Sequence, residues 1–145
     1  MKCSMVEVTI MVIKDYATNE LGVEVEIHLK DKLTLVGGDS GVGKTFIYNL
    51  LLNRCKINEF KCEYLFIDRS FTADRIRYLI DGCCDNLIVI DNTEIILDRE
   101  IKRNISRDKR NQYIIFTHSI AGFWGITKKN LAYTICNGNK IKIYN

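Results

Sequence analysis

The sequence predicts an α/β fold: a three-layer sandwich with a mostly parallel central sheet, N-terminal antiparallel strands and a C-terminal β-hairpin. Three observations point to it. From Leu33 onward, short runs that are apolar on both faces alternate with amphipathic helical stretches, which is how a parallel sheet covered on both sides reads. Before Leu33 the runs alternate apolar and polar residues with a period of two, as half-exposed antiparallel strands do. After Leu131, two β-branched runs flank Asn137-Gly138-Asn139, a glycine-bearing turn suited to a hairpin.

Taken in order, Val6 to Ile13 is the first strand, with Val6, Val8, Ile10 and Val12 set against Glu7 and Thr9. Asp15 to Gly22 reads as a connection. Val23 to Leu29 alternates again, with Val23, Val25, Ile27 and Leu29 on one face. The two-sided apolar strands are Leu33 to Val36, Glu63 to Ile67, Leu87 to Ile90 and Tyr113 to Phe116. Helices are expected over Lys44 to Cys55, with Ile47, Leu50 and Leu51 inward, over Thr72 to Asp81, with Gly82 as its stop, and over Asp98 to Ser106. Leu131 to Cys136 and Lys140 to Tyr144 form the hairpin. The absence of proline and of any Ser/Gly-rich linker predicts one domain over residues 1–145.

A chain of 145 residues with 47% hydrophobic and 27% charged residues is composed like a soluble globular domain, which sets disorder aside. No apolar stretch is long enough to span a bilayer and Met1 to Glu7 lacks the apolar block of a secretory signal, so a cytoplasmic protein without membrane insertion is expected. The net charge of +3 does not by itself argue for nucleic acid. Six cysteines without C-x-x-C spacing, far from His28 and His118, read as reduced, partly buried thiols rather than a zinc site. Adjacent Cys83-Cys84 leaves a redox pair open.

Gly38-Asp39-Ser40-Gly41-Val42-Gly43-Lys44-Thr45 matches G-x-x-x-x-G-K-[ST] in full, between an expected strand and an expected helix. The glycines permit backbone torsions that let successive N–H groups point into one concavity, and the positive end of the following helix adds to their field. Lys44 is placed to bridge β- and γ-phosphate oxygens, and the Thr45 hydroxyl to ligate Mg²⁺. Leu87-Ile88-Val89-Ile90 puts Asp91 at the carboxyl edge of the sheet, where it can hold a water on Mg²⁺ or merely cap a turn.

On these motifs the chain resembles the P-loop NTPases, and in the order of its parts a minimal ATP-binding-cassette-type ATPase core. The resemblance implies ATP and Mg²⁺ as ligands. It also implies three residue roles: Tyr16 stacking on adenine, Asp68 near Mg²⁺ and the attacking water where that family usually has Gln, and His118, in Ile114-Ile115-Phe116-Thr117-His118-Ser119, contacting the γ-phosphate. Tyr16 packing on its own domain and His118 as an ordinary surface residue are the alternatives. The family's signature segment and helical subdomain have no counterpart, since only 46 residues separate Lys44 from Asp91. That spacing is closer to AAA-type ATPases. Asn92 stands where a glutamate commonly polarises water, which leaves Glu94 or a partner to supply the base.

Around Asp98 to Arg107, Leu97, Ile101 and Ile105 recur every fourth residue, with Arg99, Arg103 and Arg107 about 200° away by helical geometry. With Arg110 they form either a solvated charged face or a surface for an acidic partner, a nucleic-acid backbone or a neighbour's nucleotide. The expected function is a Mg²⁺-ATP-binding protein and slow ATP hydrolase, activated by self-association (a homodimer) or by a protein partner. A non-hydrolysing, nucleotide-dependent binding module is the alternative, and a small-molecule kinase a third.

Overall fold

The structure, a computed structural model, describes residues 11–38, 43–91 and 96–145. Of the expected strand over Val6 to Ile13, residues 6–10 lie outside the described residues and Met11, Val12 and Ile13 form no strand; Asp39, Ser40, Gly41, Val42, Asn92 and Glu94 also lie outside the described residues. The strands are β1 (Asp15–Glu20), β2 (Val23–His28), β3 (Leu33–Gly37), β4 (Glu63–Ile67), β5 (Asn86–Ile90), β6 (Gln112–Phe116), β7 (Leu131–Asn137) and β8 (Lys140–Tyr144). The helices are α1 (Lys44–Lys56), α2 (Ala73–Asp81) and α3 (Arg99–Arg107), with a 3₁₀ turn at Lys128–Asn130.

All eight strands join one sheet in the order β1-β2-β8-β7-β3-β6-β5-β4. Pairing is antiparallel at β1–β2 and β7–β8 and parallel at the other five neighbours. The expected three-layer sandwich with a mostly parallel central sheet is corrected by this arrangement. The chain builds a mixed eight-stranded sheet curled into a half-barrel, with only three described α-helices of 13, 9 and 9 residues. The physical reason lies in two places. Strand β8 pairs in parallel with β2, Val25 facing Ile141, so the two terminal hairpins fuse into the main sheet instead of standing beside it. And between β6 and β7, where a doubly wound fold places another helix, the segment carries Gly122 and Gly125 at positive φ (90° and 65°) and forms only the 3₁₀ turn.

The curl wraps α1. Ile47, Leu50 and Leu51 share one buried cluster with Val25 and Ile27 of β2, Val36 of β3, Leu87 and Val89 of β5, Phe116 of β6 and Ile141 and Ile143 of β8. Ile76 and Ile80 of α2 and Ile101 and Ile105 of α3 cover the other face, over Leu35, Ile88, Ile90 and Ile115. Both outer helices are capped as their sequences suggest: Thr72 accepts from the Arg75 N–H at 3.2 Å and Asp98 from that of Ile101 at 2.8 Å. Gly82 ends α2 with φ of −86°, so no left-handed glycine is needed there.

Strand β1 falls where the sequence reads as a connection. Its faces alternate only between exposed and partly buried, and its one large apolar side chain is Tyr16, so a period of two is faint in the sequence. The turn that follows, Leu21-Gly22, has φ of 53° and 80°, the twist a two-residue hairpin needs. Tyr16 packs edge-on against Phe60, centroids 5.1 Å apart, and its hydroxyl donates to Glu59. The chain before β1 is pinned through buried Gln112: its Oε1 accepts from Val12 N–H at 2.6 Å and Ile13 N–H at 3.0 Å, and its Nε2 donates to the Ile13 carbonyl at 2.7 Å.

Gln112→Leu keeps the volume and strands those three backbone groups, so it should destabilise the fold by about 3 kcal/mol, at about 1–3 kcal/mol for each group left unpaired, read from urea unfolding. Burial and the bond to Glu59 push the Tyr16 hydroxyl from 10.0 up to about 12. The folded chain thus keeps a proton that the unfolded chain gives up, and stability present below pH 10 is lost as the pH rises towards about 12. Tyr16→Phe should flatten part of that alkaline decline in urea midpoints measured across the window.

Candidate functional site

Parallel strands in register end together, and here the register decides which side chains meet. Val36 faces Phe116, Ile90 faces Ile115 and Ile67 faces Ile90. Just past these pairs, Gly37, Thr117, Asp91 and Asp68 therefore lie in that order along a single edge of the sheet, the carboxyl edge where open α/β sheets bind ligands. Two further backbone bonds extend the ladder to these residues, Thr117 N–H to the Val36 carbonyl at 3.1 Å and Asp91 N–H to the Ile67 carbonyl at 2.9 Å.

The same edge receives the start of α1. Gly38 has φ of 137° and Gly43 φ of 87°, both in territory a side chain resists. Gly43 is the residue before the helix, and no side chain caps the first turn, which also holds no acidic residue. Among the described residues no side chain caps the N–H groups at that end, where the positive end of the helix dipole lies. Lys44 folds back so that its Nζ donates to the Gly38 carbonyl at 3.0 Å, and exposed Thr45 stands beside it.

The carboxylates approach from the neighbouring strands. Val89 belongs to the cluster around α1 and Ile90 to the opposite one, so by alternation Asp91 turns towards α1, and Asp68 does likewise after Phe66 and Ile67. Tyr48 confirms the proximity: burial, then the charges of Asp68 and Asp91, push its hydroxyl up to about 12. Tyr48 lies one turn beyond Lys44 and stacks edge-on against Phe66 at 5.3 Å. It is a site residue the sequence reading missed, although its spacing of four from Lys44 places both on one helix face. Asp68 accepts from Ser70 Oγ at 2.5 Å and Ser70 N–H at 2.9 Å, and these bonds hold its carboxyl below the usual carboxylate range.

The remaining expectations divide. His118 is exposed and lines a cavity of about 250 Å³ with Gly37, Thr117 and Tyr133. Tyr16 is not brought to this edge, since Phe60 and Glu59, which hold it, follow the far end of α1, a helix length of about 18 Å from Lys44. Arg103 and Arg107 stack over Trp124 at 5.6 and 4.8 Å, and Arg110 pairs with Asp108 at 3.2 Å, while Arg99 is exposed. Cys83 is a free thiol, so Cys83 and Cys84 form no vicinal disulfide. A larger cavity, about 310 Å³, lies at the other end of β3 beside Lys32 and Trp124. It is remote from the glycine loop, and its Asp108 carboxylate already accepts from Tyr113, Asn111 and Arg110.

Among the described residues no group of three or more His, Cys, Asp or Glu gathers as a self-sufficient metal cage, and no helix is long and apolar enough to cross a membrane. Asp68, Asp91 and Thr45 fit the other way of holding a hard cation, in which one or two carboxylates share Mg²⁺ with the oxygens of a bound phosphate. No protein-family model matches the chain, and no curated protein matches it in sequence.

A Cβ at Gly43 would stand 2.8 Å from Ile141 Cδ1 in β8, and the left-handed torsion adds strain of about 1–2 kcal/mol for any other residue. Gly43→Ala should therefore lower the urea midpoint and, by displacing the first turn of α1, weaken any anion bound there more than Gly138→Ala does, Gly138 having the same sign of φ and open space around it.

Proposed function

We propose that the chain binds a Mg²⁺-nucleoside triphosphate at the carboxyl edge of its sheet, in the manner of the P-loop NTPases, and that it hydrolyses this nucleotide slowly. The observation that carries the reading is the Lys44 ammonium resting on the Gly38 carbonyl, at an uncapped helix start, with two carboxylates turned towards the same helix. A carbonyl is a weak partner for an ammonium, so phosphate oxygens displace it readily. Lys44 then neutralises the β- and γ-phosphates, and the N–H groups at the start of α1 donate to the same oxygens. Thr45, Asp91 and Asp68 would hold Mg²⁺, which when bound withdraws charge from the phosphate chain. His118, two residues past the end of β6 and exposed at the same edge, would meet a terminal phosphate, and ATP is the nucleotide the sequence resemblance implies.

Slow turnover follows from the carboxylates. A general base works best with a pKa near the operating pH, and the two bonds from Ser70 drive Asp68 the other way. Asp68 is thus better suited to stay ionised beside a cation than to take a proton from water. The same observation favours a second reading, in which the nucleotide stays intact and its bound state presents a surface to a protein or nucleic-acid partner; the exposed Arg99 and the arginines around Trp124 are the groups that could meet an acidic one.

Calorimetry with Mg²⁺-ATP should give binding that Lys44→Ala weakens about tenfold or more, the scale of losing a charge-assisted contact. Asp91→Asn should remove most of the Mg²⁺ dependence. Phosphate release should be slow in wild type and slower still in Lys44→Ala. If wild type and Lys44→Ala both show neither binding nor turnover, the reading is wrong; nucleotide recovered intact after hours on the wild-type chain selects the second reading over hydrolysis.

A further inference from the structure

We propose that the cavity of about 250 Å³ between β3, β7 and the loop after β6 seats the nucleobase of the bound nucleotide, with Tyr133 as the stacking platform. This rests on the phosphate reading above and assigns the base to Tyr133 in place of Tyr16, the residue the family resemblance implies.

Four observations meet at this cavity. Its location comes first: Gly37 lines it, and the next residue, Gly38, carries the carbonyl that holds Lys44 Nζ at 3.0 Å. The cavity lies at the carboxyl edge on the sheet face that α2 and α3 cover, since Gly37 and Tyr133 follow Leu35 and Leu131 by two, and a nucleotide with phosphate at Lys44 would reach it by crossing the end of β3 at Gly37 and Gly38. Second, the ring of Tyr133 leans over Gly37, where a Cβ would lie 3.8 Å from Tyr133 Cδ1 and 3.9 Å from Cε1. A Cβ there would meet the ring at ordinary contact distance, so the ring lies over the end of β3, one residue before Gly38.

Third, the walls are apolar and open to water. Leu35, Leu131 and Ile120 line the cavity with Tyr133, and Tyr133 and Ile120 are 55% and 51% exposed. An uncovered ring facing an uncovered aliphatic side chain is a slot for a flat apolar body, and covering both recovers the hydrophobic free energy their exposure forfeits. His118 and Ser119 supply the polar side of the mouth. Last, the competing aromatic is occupied: Tyr16 packs on Phe60 with its hydroxyl on Glu59, beyond the far end of α1. A purine or pyrimidine is the class of ligand that combines a π-face for Tyr133 with attachment to phosphate.

The test compares Mg²⁺-ATP with Mg²⁺-tripolyphosphate, which carries the charge without a base, by calorimetry on the full chain. Tyr133→Ala should weaken ATP about tenfold, the scale of one base–aromatic stack, and leave tripolyphosphate unchanged. Tyr133→Phe should keep wild-type affinity, as should Ile135→Ala, which removes an exposed side chain of the same strand that does not line the cavity. Lys44→Ala should weaken both ligands. In the wild-type chain, adenosine alone should shift the nuclear magnetic resonance signals of the Tyr133 ring and the Ile120 methyl groups, a readout that holds whether or not Tyr133→Ala folds. If ATP binds but Tyr133→Ala leaves it unchanged, or if adenosine shifts Tyr16 instead, the base seat is overturned while the phosphate site stands. If neither ATP nor tripolyphosphate binds wild type, both readings fall.

Discussion

Parallel pairing of β3 with β6, Val36 opposite Phe116, is the contact on which the candidate site depends, because β6 carries β5 and β5 carries β4 in a continuous ladder. A slip of one residue between β3 and β6 would turn every inward side chain of one strand outward. Burial prevents that slip: Leu33 to Val36 and all of Gln112 to Phe116 are buried, so both strands have two apolar faces to satisfy at once. The alignment of Gly37, Asp68, Asp91 and Thr117 is thus a by-product of core packing. The side chains that fix it, such as Val36, Ile115 and Ile90, carry no chemistry themselves.

The second constraint is the curl of the sheet around α1. Because β2, β8 and β5 all contribute to the cluster that holds this helix, its axis is fixed from several directions, and its first residue cannot move without disturbing β8. Ile141 is where this becomes concrete. It packs where a Cβ of Gly43 would sit, and it pairs with Val25 of β2 and Cys136 of β7. The C-terminal hairpin therefore packs against Gly43, at the start of α1, which gives β8 a reason to be part of the main sheet.

Much of this was readable from local pattern. Leu87-Ile88-Val89-Ile90 and Tyr113 to Phe116 announce buried strands by composition, and Asp98 and Thr72 announce helix starts by their capping oxygens. The motif Gly38 to Thr45 is readable for the same reason, being local in sequence, and the nucleotide chemistry it suggests is the reading proposed above. What stayed hidden is non-local. No window of residues shows that β8 will pair with β2 across more than a hundred positions, and it is that pairing which makes the sheet mixed and curled. Strand β1 was lost because an edge strand needs so little apolar surface. Tyr48 and Tyr133 were passed over because a tyrosine in a helix or a hairpin reads as packing until the opposite wall is known.

The arrangement also bears on what the proposed nucleotide site is built to do. Among the described residues, the groups turned to the phosphate side are a cation, two carboxylates and a hydroxyl: Lys44, Asp68, Asp91 and Thr45. In the proposed reading these would hold charge and metal, and the two bonds from Ser70 keep the Asp68 carboxyl below the usual carboxylate range, away from the role of a proton acceptor. Positioning without a base gives tight association and a slow reaction, because electrostatic complementarity lowers the energy of the bound triphosphate along with that of its transition state. Uniform binding of that kind is costly for a rapid catalyst and useful for a switch whose bound state must persist. A rapid reaction would draw its proton acceptor from His118, from Glu94, which lies outside the described residues, or from a partner, and Asp91 and Thr117, at the rim of the sheet, mark where that group would act.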